Sequence, residues 1–500
     1  SSSLTILFMF WSLTLLIKKL ILNKKEALSN NDTIAIFVSA GIGSLAYTFT
    51  DSFWFSAVEG EVYAMASLFT AAIFWAILKW DEEMGYMQKE QLNASSSPHR
   101  WLLLIMFLLG LAIGVHLLGI LVIPSIGYFI YFRYTKNVNL KGIIITGVLA
   151  VFILGFIQEG VIPGSIAMAS SFEVAFVNSI GLPFYSGSIF FFALLICVCL
   201  FITRYAKRKN NTILHNSMMG LIMLLIGYGS FAIIVIRSNA NPPLDENDPE
   251  NLVTLKSYLK REQYGSAPIF FGQYWNSELN EREQWNDRDE VNLRRFVIVN
   301  EEGVDIKAFQ NEKEAVAYAK KNNAEVVEKY YVSNASVREN SEPTYSQTTF
   351  FPRMYYSGET PQDKQKMDGY KKWSGYDAND EAETEIGNNG LRLPTFGENL
   401  TYFFNYQLDW MYWRYLMWNF SGRQNDIQGH GDAMRGNWKI GISSIDDLRL
   451  GNQENAPFYT SNNKSNNSFF MLPFIFGLIG LIFHFYKSPK DAFSLLLAFL

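Results

Sequence analysis

Apolar residues in this chain fall into blocks, and polar ones concentrate in one long interval. Blocks near the length that crosses a bilayer, about 20 residues, predict transmembrane helices. They cover Leu4–Ile17, Ile34–Thr50, Val62–Leu78, Trp101–His116, Leu117–Phe132, Ile143–Ile157, Ile189–Ile202, Met218–Ile236 and Phe469–Phe485, and a tenth begins at Ala492. Both ends of the chain lie in apolar sequence without an initiating Met, which reads as an internal fragment of a longer protein. The fold class expected is an α-helical polytopic membrane protein with an α+β domain inserted between transmembrane helices. Its parts are a bundle at 1–237, a polar domain at 238–467 and further helices at 468–500.

Within the polar interval the period changes. RRFVIVN and VDIKAF alternate as strands around the turn Glu301–Gly303, EKEAVAYAKKN has helical spacing, and AEVVEKYYV is another strand, giving a small α/β insert at 294–332. Asn251 or Asp248 caps an expected helix at Leu252–Glu262, and 333–398 reads as long loops. The stretch 158–186, shaped by Pro163 and Pro183, reads as a re-entrant or surface-lying segment with Glu159 as a secondary acid.

Lys and Arg orient the bundle. Lys18, Lys19, Lys24 and Lys25; Lys79, Lys89 and Arg100; Arg133, Lys136 and Lys141; Arg204 to Lys209; and Lys487 with Lys490 all fall on one face if Trp101–Phe132 is a hairpin turning near His116. That face is then cytoplasmic, and 51–61, His116 and 238–467 lie opposite. Composition adds little: the chain of 500 residues is 49% hydrophobic with net charge −5, and no basic stripe with interleaved aromatics points to nucleic acid. Cys197 and Cys199 point to different sides of one helix and cannot pair usefully.

Candidate chemistry sits where carboxylates meet apolar sequence. TFTDSFWFSAVEGEVYAMASLFT, at 48–70, crowds Asp51, Glu59 and Glu61 among aromatic rings, with Asp51 read as the end of the preceding helix. Acids beside hydrocarbon are costly and mark a substrate, ion or proton path, or else sit in interfacial water and cap the next helix. GLAIGVHLLG sets His116 among Gly110, Gly114 and Gly119, whose small size lets helices approach closely. A lone His there is either structural or functional. NLTYFFNYQLDWMYWRYLMWNF suits a helix lying in the membrane interface. SGRQNDIQGHGDAMRGNW then gathers Arg423, Asn425, Asp426, His430, Asp432 and Arg435 among four glycines, as an anion-binding loop or an ordinary solvated one. No CxxC, HExxH or nucleotide-binding glycine motif occurs, so no cofactor is certain and a divalent metal is not expected.

A membrane cavity with carboxylates and arginines suits a lipid-phosphate sugar: Arg holds phosphate and an acid takes the proton of the attacking hydroxyl. The segments DSFWFSAVEGEVYAMASLF, GLAIGVHLLG, SYLKREQYG and WNFSGRQNDIQGHGD resemble a bacterial multispanning family with an animal relative linked to protein O-mannosylation. The resemblance implies a GT-C glycosyltransferase in the bacterial inner membrane, with its large domain periplasmic. It moves a sugar, by analogy mannose, from polyprenyl phosphate to a protein Ser or Thr. It also implies a main catalytic acid before Ser1, leaving Asp51, Glu59, Glu61 and His116 as one wall of the site. The partners expected are the lipid-linked donor, the acceptor protein and membrane lipid. Two other classes fit the same sequence: a lipid-linked sugar transporter or flippase, and a structural subunit of an envelope secretion complex.

Overall fold

The computed structural model describes residues 1–23, 25–90, 98–260, 267–280, 285–287, 292–301, 303–332, 341–358, 360–380, 384–453 and 455–499. Lys24, Glu302 and residues 261–262 of the expected Leu252–Glu262 helix lie outside them. The apolar blocks become helices because only a helix satisfies every backbone N–H and C=O within hydrocarbon. They are α1 (Ser2–Leu22), α2 (Asn30–Thr48), α3 (Asp51–Val58), α4 (Tyr63–Glu90), α5 (His99–Ile113), α6 (Ile123–Tyr134) after the 3₁₀ segment Leu117–Val122, α7 (Leu140–Gly155), α8 (Ile162–Asn178), α9 (Ser186–Arg208), α10 (Thr212–Tyr228) and α11 (Ala232–Ser238). Six spans among the described residues are long and apolar enough to cross a membrane, or seven if α2 and α3, bent by 66°, count as one. His99–Ile113 and Leu472–Lys487 are shorter apolar helices. Ile34, Phe37, Val38, Ile42 and Leu45 of α2 are exposed, as is most of α7 and α9. Faces this apolar identify the surrounding solvent as lipid, and the protein as a multi-pass membrane protein.

Two expectations change here. The stretch 158–186 is no re-entrant loop: α7 and α8 run as one helix over Leu140–Asn178, through a π turn at Phe156–Val161. Pro163 falls in the first turn of α8, where its missing N–H costs nothing, so the proline starts a helix instead of ending one. Asp51 opens α3 after the bend and does not close α2.

The chain forms two compact units. The first holds residues 1–260, 292–331 and 480–500. Its core joins α1, α4, α5, α6 and α10 through Leu16, Ile73, Trp80, Leu109, Phe129 and Leu224. α5 and α10 cross where both carry glycine. A Cβ on Gly110 would overlap the Leu224 carbonyl oxygen and crowd the Tyr228 nitrogen at 2.8 Å, and one on Gly227 would crowd the Leu111 nitrogen equally. At one end of the unit Asp81 is buried between Lys19 at 2.5 Å and Arg133 at 2.6 Å, and Lys19 reaches Asp491 at 2.7 Å. The insert belongs to this unit: β3 (Asn292–Val299) lies between β4 (Asp305–Phe309) and β5 (Glu325–Val332), with α13 (Glu312–Asn322) packed on Ile298. Tyr330 fixes it to the helices, because Asn178 Nδ2 donates to the Tyr330 carbonyl at 2.7 Å and Asn178 Oδ1 accepts from the Tyr330 N–H at 3.1 Å.

The second unit holds residues 261–291 and 332–479. The expected loop 333–398 contains a helix, Pro361–Ser374, started by a Thr360–Asp363 capping box. Its core is aromatic: Trp275, Tyr370, Tyr376 and Tyr402 around Met354. The aromatic stretch is helical from Phe396 to Phe420, with a π segment at Phe403–Trp413. Replacing Asp81 by Ala leaves Lys19 and Arg133 without their shared counter-charge, a loss of about 3 kcal/mol for a buried pair. The expected result is a lower thermal midpoint in detergent, while Lys25→Ala at the exposed pair with Asp32 leaves it unchanged.

Candidate functional site

The acidic stretch and the histidine turn come together through one ring contact. Tyr63 starts α4 directly after Glu59 and Glu61, and its ring lies 5.6 Å from that of His116. His116 interrupts the helical path in extended backbone (φ −162°, ψ 137°) and caps the 3₁₀ segment, its Nδ1 accepting from the Leu118 N–H at 3.1 Å. In neutral His116, therefore, Nε2 carries the proton and can donate. Glu59 and Glu61 are exposed between α3 and α4, and Asp51 is half-buried at the start of α3. Glu159, on the π turn, is exposed.

An apolar cavity of about 800 Å³ lies in the same unit among α8 to α11 and α12 (Leu252–Lys260). Phe192, Ile196, Leu225 and Val235 line its body, and Tyr185, Ser188 and Asn251 supply polar groups. Asn251 also caps α12, accepting from Val253 and Thr254 at 2.9 and 3.1 Å. Arg237, exposed, follows lining residue Ile236. The wall at Ser188 is held by Glu173, which is 1% exposed. Its two oxygens accept from the Tyr185 N–H at 2.5 Å, the Ser188 N–H at 2.9 Å and the Ser188 hydroxyl at 2.8 Å, satisfying the first turn of α9. Burial, with the nearby Glu173 charge, pushes the Tyr330 phenol well above its ordinary range. The sequence reading passed over Glu173 and Arg237. A single acid inside the apolar run SSFEVAF was the available signal for the first.

The glycine-rich loop of the second unit is built from its own amides. Asn425, fully buried, donates to the Met434 carbonyl at 2.9 Å and accepts from the Gly436 N–H at 2.9 Å. Gln424 donates to Ala433 and Gln453 at 2.8 and 2.6 Å and accepts from Asn437 Nδ2 at 3.0 Å. Gly431 and Gly436 turn the chain at φ +82° and +63°, where a side chain would also meet Trp373 or the Ile427 carbonyl. Arg423, 7% exposed, donates to the Ser465 carbonyl at 3.2 Å, pairs through its backbone with Asn467, and stacks over Trp418. Arg414, between Trp410 and Trp418, donates to the Gly436 carbonyl at 2.8 Å. Asp426 accepts from Asn463 at 3.0 Å and Ser465 at 2.9 Å, and these bonds hold its carboxyl below the usual range. Asp432 accepts from the Met434 N–H at 3.1 Å. His430 and Arg435 are exposed, and the His430 carbonyl accepts from Lys372 at 2.6 Å. Arg423, Asn425, Asp426 and Asp432 thus make bonds that shape the loop, and Asp426, Gln428, His430 and Arg435 are exposed on it. No group of three or more potential metal ligands occurs among the described residues.

These features define a multi-pass membrane protein with an acidic, histidine-flanked turn and an apolar intramembrane cavity. Residues 1–139 match the N-terminal domain of the protein O-mannosyl-transferase TMEM260, so this part of the chain is similar to an O-mannosyltransferase family. The match supports a glycosyltransferase-like role at family level. It contains the acidic stretch and His116, whereas the loop at 422–436 lies outside both matched segments. Residues 265–404 match a family of unknown function. No curated protein and no solved structure matches the chain.

Two outcomes test the loop. Asn425→Ala removes three hydrogen bonds of a buried side chain and should make 422–437 susceptible to proteolysis, whereas Arg435→Ala leaves its resistance intact. Because the folded pKa of Asp426 is depressed, its ties contribute above the unfolded value of about 4 and are lost as pH falls through the lower folded value. Proteolysis at the loop should therefore rise only below about pH 4, and Asp426→Ala should show that susceptibility already at neutral pH.

Proposed function

We propose that the protein transfers a sugar from a polyprenyl-phosphate donor to a Ser or Thr hydroxyl of a protein acceptor, as a GT-C type enzyme. One observation carries the reading. Within the segment similar to an O-mannosyltransferase, Tyr63 joins the acidic stretch to His116. The cavity among α8 to α12 supports the donor class, since its apolar body suits a hydrocarbon chain.

In this reading a carboxylate among Asp51, Glu59 and Glu61 takes the acceptor proton as the hydroxyl oxygen bonds to the anomeric carbon. The bond from that carbon to phosphate oxygen breaks, and its electron pair leaves with polyprenyl phosphate. Neutral His116, with Nδ1 already engaged, serves as an N–H donor to sugar or phosphate, so the base is an acid side chain. Arg237, beside the cavity, is the guanidinium suited to the departing phosphate. His430 and Arg435 are the second unit's candidates for binding an acceptor or anion. The Lys/Arg distribution supports an extracytoplasmic acidic turn and large polar interval, periplasmic if the membrane is a bacterial inner membrane.

The test is transfer by purified protein from labelled polyprenyl-phosphate mannose to an acceptor peptide in detergent. Glu61→Gln should lower turnover at least tenfold with an unchanged thermal midpoint, and so should Arg237→Ala. Wild-type protein that binds donor and never forms glycopeptide would support a flippase and overturn the enzyme reading. Normal turnover in both variants would remove these residues from the site.

A further inference from the structure

The second unit carries a surface that the proposed function leaves unexplained. β1 (Phe271–Gly272) pairs with the strand Thr349–Phe350, setting Phe271 opposite Phe350 with their rings 5.5 Å apart. Ile269, Phe270, Phe271 and Phe350 are 65%, 67%, 71% and 54% exposed. No charged residue occurs in 267–272 or 346–352. Such a tip is unfavourable in water, and a water-soluble surface seldom gathers large side chains this densely.

Its neighbours say what covers it. Phe351 contacts Phe403 at 5.2 Å, and Phe403 contacts Phe404 at 5.3 Å, so the tip is continuous with the Phe396–Phe420 helix. That helix exposes Phe404, Leu408, Met411, Tyr412 and Tyr415. Trp413 then meets Phe474 at 6.0 Å, on the apolar helix Leu472–Lys487. Leu472, Ile475, Phe476 and Ile479 of that helix are exposed, with no charge in Leu472–Phe483. Exposed apolar side chains of one helix therefore lie between the strand-pair tip, which it meets at Phe403, and the apolar helix Leu472–Lys487, which it meets at Trp413. Arg353 stacks over Phe351 at 4.1 Å and donates to the Ile269 carbonyl at 3.1 Å, placing one cation behind the apolar tip, as headgroup-depth arginines are placed.

We propose that the tip Ile269–Phe271 with Phe350 inserts into the lipid bilayer, so that the second unit is held to the membrane at a second point besides the Leu472–Lys487 helix. Rings partition to the depth where hydrocarbon meets headgroups, and the tip offers rings with no charge to desolvate.

Spin labels test this on the full chain in nanodiscs, with Cys197→Ser and Cys199→Ser removing the native thiols. Labels go singly at Phe270→Cys and Phe271→Cys, with Phe476→Cys as a lipid reference and Asp368→Cys as a water reference. The expected result is preferential collision with oxygen over a water-soluble nickel chelate at both tip positions, as at Phe476→Cys. Nickel accessibility matching Asp368→Cys would place the tip in water and overturn the proposal. Exclusion of both reagents would show a protein surface over the tip, a second copy or a partner, and would equally overturn it.

Discussion

The crossing of α5 and α10 at Gly110 and Gly227 is the contact on which the membrane unit depends. Each glycine faces the other helix's backbone at a distance no Cβ permits, so the two axes lie closer than larger residues would allow. In lipid there is no hydrophobic drive between helices, and close van der Waals contact of this kind holds them together. Both candidate features start at these helices. α5 ends at Ile113 and leads into the His116 turn, while the end of α10 and the segment after it form one wall of the apolar cavity.

Charge inside the membrane unit follows a second constraint. Among the described residues, the buried acids there are matched by donors: Asp81 by Lys19 and Arg133, Glu173 by the first turn of α9, and Asp491 by Lys19 and Ser488. An unmatched carboxylate in hydrocarbon would cost several kcal/mol. By contrast, Glu59 and Glu61 are exposed at a helix junction beside an aromatic ring. Buried acids hold helices in place, and Glu59 and Glu61 are open to solvent.

The helices and the insert were readable in the sequence because one period controls each. Alternation in RRFVIVN and VDIKAF gives β3 and β4, and GLAIGVHLLG gives the tight approach and the turn. Misreadings came from treating proline as a break. Pro163 and Pro361 both start helices, and the Thr360–Asp363 capping box around Pro361 was legible. The site was harder to read, because the role of a polar residue depends on contacts far away in sequence. Arg423 has the residue type and setting of a phosphate ligand, yet its guanidinium donates to a carbonyl 42 positions away and lies over a tryptophan ring. Nothing local distinguishes it from exposed Arg435. Likewise, Tyr63 and His116 are united by folding and not by spacing.

The central claim is that the membrane unit holds a lipid-linked sugar by its hydrocarbon chain. Photocrosslinking measures this directly: a polyprenyl-phosphate sugar with a diazirine in its chain is irradiated with the full-length chain in nanodiscs, and adducts are mapped by mass spectrometry. Adducts are expected on the cavity-lining segments of α9 to α11, around Phe192, Leu225 and Val235, displaced by unlabelled polyprenyl phosphate and not by phospholipid. Adducts confined to the lipid-facing surfaces of α2 and α7, or undiminished by competitor, would contradict it.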